Sequence, residues 1–341
     1  MRNKILGIDL AKSVFQLCLL DGNHVVFNKK MTRNRLLDAV RQMEPGTLVA
    51  MEACSTAHYW GRMVRHLGFE VCLIPPQHVK AFVKNHKNDA NDALAICEAA
   101  NRSDMHFVPV KNLSQQDLCA LHNVRQSLVQ KRVATSNQIR GLAAEYGIVF
   151  PQRSAALRQS LYEALEDASN GLTVIARRIL KQLYEDWLIL LQRTEEIEET
   201  LKLLSSQTAQ WQQLQSIPGI GPLIVSAFIA YVGDGKQFNN GRQLAAWLGL
   251  VPRQASSGGK TQLGKITKNG NRYLRCILIH GARAAMQRRT LRHDALGDWM
   301  QSLVNRRGFN KACVAYANKC ARICWSIRVN NDVFQVSKAF A

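Results

Sequence analysis

The sequence predicts an α/β N-terminal domain, a helical, coiled-coil-like middle and a mainly α C-terminal part. Three observations predict it. Short apolar runs alternate with amphipathic stretches through the first hundred residues. Apolar residues recur at three-, four- and seven-residue steps between 155 and 215. A glycine-punctuated, strongly basic stretch follows residue 217. At 341 residues the chain can form two domains with cores of their own.

Lys4–Asp9, Val14–Leu20 and His24–Lys30 read as strands, the second and third joined into a hairpin by the turn Asp21-Gly22-Asn23. Arg33–Met43 is amphipathic and helical, and Thr47–Glu52 is a short apolar strand. His58–Leu67 is a helix closed by Gly68, Glu70–Ile74 a fifth strand stopped by Pro75-Pro76, and Asp89–Asn101 a further helix. Three strands, helix, strand, helix, strand, helix is the order of a ribonuclease H-like fold. There a hairpin meander precedes two βα units and both sheet faces carry helices.

Ser114–Tyr146 is helical and basic. Between Ala155 and Gln215, Ile175, Ile179, Leu183, Leu190, Ile197, Leu201 and Leu204 form an apolar stripe flanked by charges. This pattern suits a helical hairpin or coiled coil, and equally a long helix packed on its own domain. The last third opens at Ile217-Pro-Gly-Ile-Gly-Pro222.

Lys and Arg number 45 against 25 Asp and Glu, a net charge of +20. An excess of this size predicts a polyanionic partner, nucleic acid first. Between Gly241 and Asn330 the only acids are Asp294 and Asp298, so a phosphate backbone is expected there. A membrane surface fits less well, because no segment pairs a basic face with a strongly apolar one, and no apolar run reaches the roughly 18 residues of a membrane span. The N-terminus reads as a strand rather than a leader, which places the protein in the cytoplasm. The nine cysteines form no C-x-x-C pair and no zinc spacing, and read as reduced structural thiols.

Four carboxylates carry the first chemical signal. Asp9 lies in an otherwise apolar strand, where an uncompensated charge is costly. Glu52 ends the fourth strand, a neighbour of the first in a ribonuclease H-like sheet. Asp89 and Asp92, three apart, share a helix face. Four converging carboxylates call for a pair of divalent cations, and hard oxygen ligands select Mg²⁺ or Mn²⁺. Two such ions serve phosphoryl transfer. Each acid also has a plainer reading: Asp9 on a turn amide, Glu52 paired with Arg62 or Arg65, Asp89 and Asp92 favouring a helix N-terminus.

The second signal is the turn Pro218-Gly219-Ile220-Gly221, similar to the hairpin of a helix-hairpin-helix motif. Its backbone amides would suit a DNA phosphate, or it is a tight helix–helix turn with no ligand. The third is Ser256-Ser257-Gly258-Gly259-Lys260. Arg253, Lys265, Lys268, Arg272 and Arg275 surround it. A serine among glycines and cations is suited to attack phosphate, although such loops are more commonly just flexible.

Taken together, Gly7-Ile-Asp9-Leu-Ala-Lys, Met51-Glu52-Ala-Cys, Lys87-Asn-Asp89-Ala-Asn-Asp92-Ala, Pro218-Gly-Ile-Gly, Leu248-Gly-Leu-Val-Pro252, Ser256-Ser-Gly-Gly-Lys and Ile266-Thr-Lys-Asn-Gly-Asn-Arg-Tyr-Leu-Arg275 resemble the insertion-sequence transposases of the IS110 type, most closely the 1111 branch. The resemblance covers nearly the whole chain. It implies a RuvC-like catalytic domain over 1–150, with Asp9, Glu52, Asp89 and Asp92 as an acidic, metal-binding tetrad. It implies a helical dimerisation segment over 151–210 and a C-terminal transposase domain over 211–341 whose nucleophile is Ser257, with the adjacent Ser256 not excluded. It further implies donor and target DNA, a structured guide RNA, a dimer or tetramer in which one protomer's carboxylates meet another's serine, and a bacterial, nucleoid-associated setting. On this reading Gly219, Gly221, Arg253, Lys260, Lys265, Lys268, Arg272 and Arg275 contact nucleic acid.

Two rivals remain. A RuvC-like nuclease or junction resolvase using water needs only the tetrad and leaves the serine loop unexplained. A non-enzymatic nucleic-acid-binding protein explains the charge but not the carboxylates. A sugar-kinase-like fold would need a second glycine-rich phosphate loop, which the sequence lacks.

Overall fold

The computed structural model describes residues 4–83, 88–103, 105–257 and 260–340. Lys87, Gly258 and Gly259 of the sequence motifs lie outside them. The chain falls into two compact units, residues 1–113 and 114–341.

The first unit is a five-stranded mixed sheet with helices on both faces. Its elements run β1 (Lys4–Asp9), β2 (Val14–Asp21), β3 (His24–Thr32), α1 (Leu36–Arg41), β4 (Leu48–Glu52), α2 (Ala57–His66), β5 (Val71–Ile74), α3 (Pro76–Val79) and α4 (Asp89–Ala100). The strand order is β3-β2-β1-β4-β5, with the first three antiparallel and β1, β4 and β5 parallel. Alternation along each strand divides the core in two. Leu6, Ile8, Val49 and Met51 pack against Leu36, Val40, Trp60 and Val64 of α1 and α2. Ile5, Leu48 and Ala50 pack against Ala93, Ile96 and Cys97 of α4. As the sequence reading required, β1 and β4 are neighbours.

The second unit contains α5 (Leu113–Ala144), α6 (Ser154–Glu166), α7 (Val174–Ser206), α8 (Trp211–Gln215), α9 (Pro222–Val232), α10 (Gly241–Trp247), β6 (Pro252–Ser257), β7 (Lys260–Ile266), α11 (Arg272–Gln287), α12 (Ala295–Arg307), α13 (Phe309–Asn330) and α14 (Val336–Phe340). The stretch expected to be helical from 155 to 215 is three helices. Arg177 closes the first break by donating to the Ala164, Leu165 and Asp167 carbonyls at the end of α6. One core surrounds the apolar helix α9, where Ile224 to Ala230 are all buried. A second joins α5, α6 and the first half of α7 around Leu157, Leu180 and Trp187. The apolar stripe of α7 is only partly covered by the chain: Leu201 is buried, while Ile175, Ile179 and Leu204 are exposed. Seven cysteines are buried; Cys276 is exposed and Cys54 is half-buried. Among the described residues no helix is long and apolar enough to cross a membrane.

A buried polar chain ties α5 into the second unit. Ser226 Oγ donates to the Leu223 carbonyl at 3.0 Å, so it accepts from His122 Nε2 at 3.1 Å. His122 Nδ1 then accepts from the Tyr273 hydroxyl at 3.0 Å, which in turn accepts from Arg125 at 3.5 Å. Every proton has one destination, which fixes a neutral Nε2–H imidazole. Arg125 is ion-paired with Glu198 of α7 at 2.6 Å.

Candidate functional site

The carboxylates are placed by strand register and by one glycine. Ile8 pairs with Met51, so Asp9 and Glu52, one residue further along parallel strands, stand abreast at the C-terminal edge of the sheet. By alternation both share the face of Ile5, Gly7 and Ala50, which is the α4 face, and both are half-buried. A Cβ on Gly7 would lie 2.6 Å from the Ala93 carbonyl oxygen and 2.5 Å from Cys97 Sγ, so α4 rests directly on β1 there. Cys97 also reaches the Ile5 carbonyl, at 3.7 Å. Helix α4 therefore runs back along β1, and its first turn, carrying Asp89 and Asp92, lies at the Asp9 end. Asn88 starts that turn by accepting from the Asn91 amide at 2.8 Å.

The structure thus brings all four predicted acids to one face at one end of the sheet, with Asp92 half-buried and Asp89 exposed. It does not close them into a cage. Asp89 pairs with Lys30 at 3.4 Å, both groups largely exposed. Among the described residues no three His, Cys, Asp or Glu side chains form a ready metal cluster. The donor chemistry fits a hard divalent cation all the same. The ligand types are carboxylates, and a buried amide oxygen, Gln16 Oε1, has no hydrogen-bond partner beside them. Gln16 faces Asp9 across the β1–β2 ladder.

In the second unit, the Pro218–Pro222 turn joins α8 and α9 as expected. Gly219 has φ +87°, and a Cβ there would lie 2.5 Å from the Gly281 carbonyl oxygen of α11. The Pro218 carbonyl accepts from the Tyr316 hydroxyl at 2.7 Å. The glycine therefore meets a packing requirement in its own right. The turn lines a groove of about 1170 Å³ with Arg125, Leu223, Ile277 and Arg288.

Ser256, Ser257 and Lys260, expected in a loop, lie on two paired strands. Strands β6 and β7 pair antiparallel, Ser256 with Thr261 and Ser257 with Lys260. Ser257 is the last residue of β6. Ser256 is exposed and accepts from the Gln254 side chain at 2.9 Å. Arg253, Lys265, Lys268 and Arg272 are exposed. Arg275 is different. It is buried and donates to the Leu248 and Asn269 carbonyls at 3.0 and 2.6 Å, so it braces the turn before α11.

Sequence reasoning passed over Gln16, Asn28 and His122. Gln16 carried the same signal as Asp9, a polar side chain in an apolar strand. Burial, with Arg125 nearby, pushes His122 down to about 4; burial, Lys111 and Arg62 do the same to His58.

Comparison with known proteins gives the family. The pattern of the family described as "Transposase IS116/IS110/IS902 family" matches residues 211–296, and a transposase pattern of the DEDD type from the IS110 group matches 6–148. A probable family 20 transposase of Pseudomonas aeruginosa is 45% identical, over 94% of this chain and 96% of its own length. The transposase for insertion sequence element IS1111A of Coxiella burnetii is 44% identical, over 97% and 91%. That for IS1328 of Yersinia enterocolitica is 38% identical, over 97% and 98%. Near-complete coverage at such identity leaves one conclusion: the chain belongs to the IS110/IS116/IS902 family, in its 1111 branch, and is a DNA transposase.

Proposed function

We propose that this transposase excises and inserts its insertion sequence by serine attack on a DNA phosphate, assisted by metal held at Asp9, Glu52, Asp89 and Asp92. The observation that carries the reading is the pairing of features in one chain: acids gathered at one edge of a sheet of order β3-β2-β1-β4-β5, and a serine at the end of β6 with exposed cations nearby in sequence. A bound Mg²⁺ or Mn²⁺ would neutralise charge on the scissile phosphate. The Ser257 oxygen bonds to phosphorus as the bond to the 3′ oxygen breaks. That oxygen leaves as a hydroxyl, and the phosphate stays on the serine. The 3′-hydroxyl of the partner strand then attacks phosphorus and releases the serine. One phosphoester replaces another at each step, so no ATP is consumed. Exposed Arg253, Lys265, Lys268 and Arg272, with Lys260, supply charge for the DNA backbone.

The catalytic domain is assigned to 1–150, the dimer segment to 151–210 and the serine domain to 211–341. The exposed Ile175, Ile179 and Leu204 support self-association through α7. A guide RNA and action at the nucleoid rest on the family resemblance and on the +20 charge. The test is a covalent protein–DNA adduct formed on DNA carrying the element's junctions and resolved under denaturing conditions. Ser257→Ala abolishes the adduct and Ser256→Ala retains it. Recombination by Ser257→Ala would refute the serine assignment.

A further inference from the structure

Gln16 is the third residue of β2, with only 5% of its surface exposed, directly across the ladder from Asp9. Its Nε2 donates to Asn28 Oδ1 at 2.6 Å, and Asn28 Nδ2 donates to the Ala90 carbonyl at 2.9 Å. Ala90 sits between Asp89 and Asp92 in the first turn of α4. The chain of bonds has one direction. The Ala90 carbonyl can only accept, so Asn28 must turn its NH₂ to α4 and its oxygen to β2, and Gln16 must present nitrogen. Gln16 Oε1 is therefore left on the side of the amide away from Asn28, buried and without a hydrogen-bond partner. Strand β2 has two neighbours, β3 carrying Asn28 and β1 carrying Asp9. A buried acceptor left unpaired costs about 1–3 kcal/mol, and here the neighbouring bonds enforce that orientation.

We propose that Gln16 supplies a neutral oxygen donor to the metal site proposed above, and that the Gln16–Asn28–Ala90 relay positions the first turn of α4, with Asp89 and Asp92, over Asp9 and Glu52. The inference rests on the carboxylate reading. An amide oxygen is a normal ligand for Mg²⁺ or Mn²⁺, directly or through a bound water. It adds a donor without adding a fifth negative charge to an edge that already holds four acids.

The test is Mn²⁺ binding to the full chain without nucleic acid, followed by the electron paramagnetic resonance signal of the free ion, with the thermal midpoint measured beside it. Gln16→Met keeps the side chain's length and removes both the oxygen and the Nε2 donor to Asn28. It is expected to weaken Mn²⁺ binding by about 10- to 100-fold, the usual effect of losing such a partner, while the metal-free midpoint shifts no further than in Asn28→Leu, which loses the same bond. Gln16→Glu loses the same bond to Asn28 but keeps an oxygen in place. It is expected to bind Mn²⁺ at least as tightly as wild type and to show a larger rise in midpoint when Mn²⁺ is added. Asn28→Leu cuts the relay and is expected to give a smaller loss than Gln16→Met. Wild-type affinity in Gln16→Met, or equal losses in Gln16→Met and Gln16→Glu, would overturn the proposal. Asp9→Ala separates the two layers. If it binds Mn²⁺ like wild type, the carboxylate reading falls and this inference with it. If Asp9→Ala loses binding while Gln16→Met does not, only the role of Gln16 falls.

Discussion

The two regions to which the proposed function assigns the chemistry are built in opposite ways. At the sheet edge, Asp9 and Glu52 are fixed by register on parallel strands, and α4 is seated on Gly7 with no room for a methyl group. The serine stands on a two-stranded ribbon whose described flanking side chains, from Pro252 to Ser256 and from Gln262 to Lys265, are exposed. A Cβ on Gly264 of that ribbon would find its nearest neighbour at 3.8 Å. The acids need a rigid frame because like charges must be held close before any cation can bridge them. A nucleophile that has to reach DNA and travel with the cut end gains from a projecting ribbon. On the proposed function, metal binding would be a property of the folded first unit, whereas attack would depend on where the ribbon is brought.

The largest expected effect tests that separation directly. Asp9→Ala and Ser257→Ala should each lower recombination by about a thousandfold or more, since members of one catalytic set fail together. Only Asp9→Ala should lose Mn²⁺ binding. Mixing the two inactive variants sharpens the comparison. If one copy's acids serve another copy's serine, the mixture regains recombination in a gel assay of strand exchange. A mixture as dead as either variant would place both halves in one protomer.

Next comes pH. His122 is buried and neutral, held at about 4 against an ordinary value of 6.5 by burial and by Arg125. The folded state thus resists a proton that the unfolded state accepts. The contribution of His122 is complete above about 6.5 and is lost as pH falls toward 4, by up to about 3 kcal/mol from a shift of this size. Urea unfolding at pH 7.5 and at pH 5 should show the loss, and His122→Gln should flatten it. His58 adds a similar slope within the first unit, so an unchanged slope in His122→Gln would assign the effect to His58 instead.

The glycines provide the third comparison. Gly7→Ala forces a methyl against the Ala93 carbonyl and Cys97 and should destabilise by about 1–3 kcal/mol. It should also weaken Mn²⁺ binding, because α4 carries Asp89 and Asp92. Gly264→Ala has open space and should stay within about 0.5 kcal/mol. Chemical denaturation of both variants checks the pair, and equal effects would mean that the two regions are equally tolerant.

The sheet was legible because β1, β2, β4 and β5 bury at least one face. Leu6, Ile8, Leu17 and Val49 alternate or cluster as a packed strand must. The β6–β7 ribbon was not legible, because a strand exposed on both faces has no core to write an apolar period into its sequence. Among residues 252–266 only Pro252, Ala255, Leu263 and Ile266 are apolar, and they show no alternation. The acids were found through a polar residue in an apolar strand, and the same test applied to Val14–Asp21 would have found Gln16. Its partner Asn28 was beyond reach, since the bond to Ala90 spans 62 positions and exists only once α4 is folded onto the sheet. The burial of Arg275 was not legible for a related reason. Charge counting along the chain does not separate a cation facing solvent from one spent on Leu248 and Asn269 carbonyls.

That last distinction gives the smallest expected effect. Lys265 and Arg253 are exposed on the ribbon, so Lys265→Gln or Arg253→Gln should leave stability unchanged and weaken binding to random duplex DNA. Each should reduce the slope of log affinity against log salt by about 1, the signature of one lost phosphate contact. Arg275→Met should do the reverse. It removes two charge-assisted donors from buried carbonyls, which costs about 2–4 kcal/mol of stability. The salt slope of the folded fraction should stay as in wild type. A changed slope in Arg275→Met with stability intact would return that residue to the DNA-binding face and blur the line between the ribbon and the core beneath it.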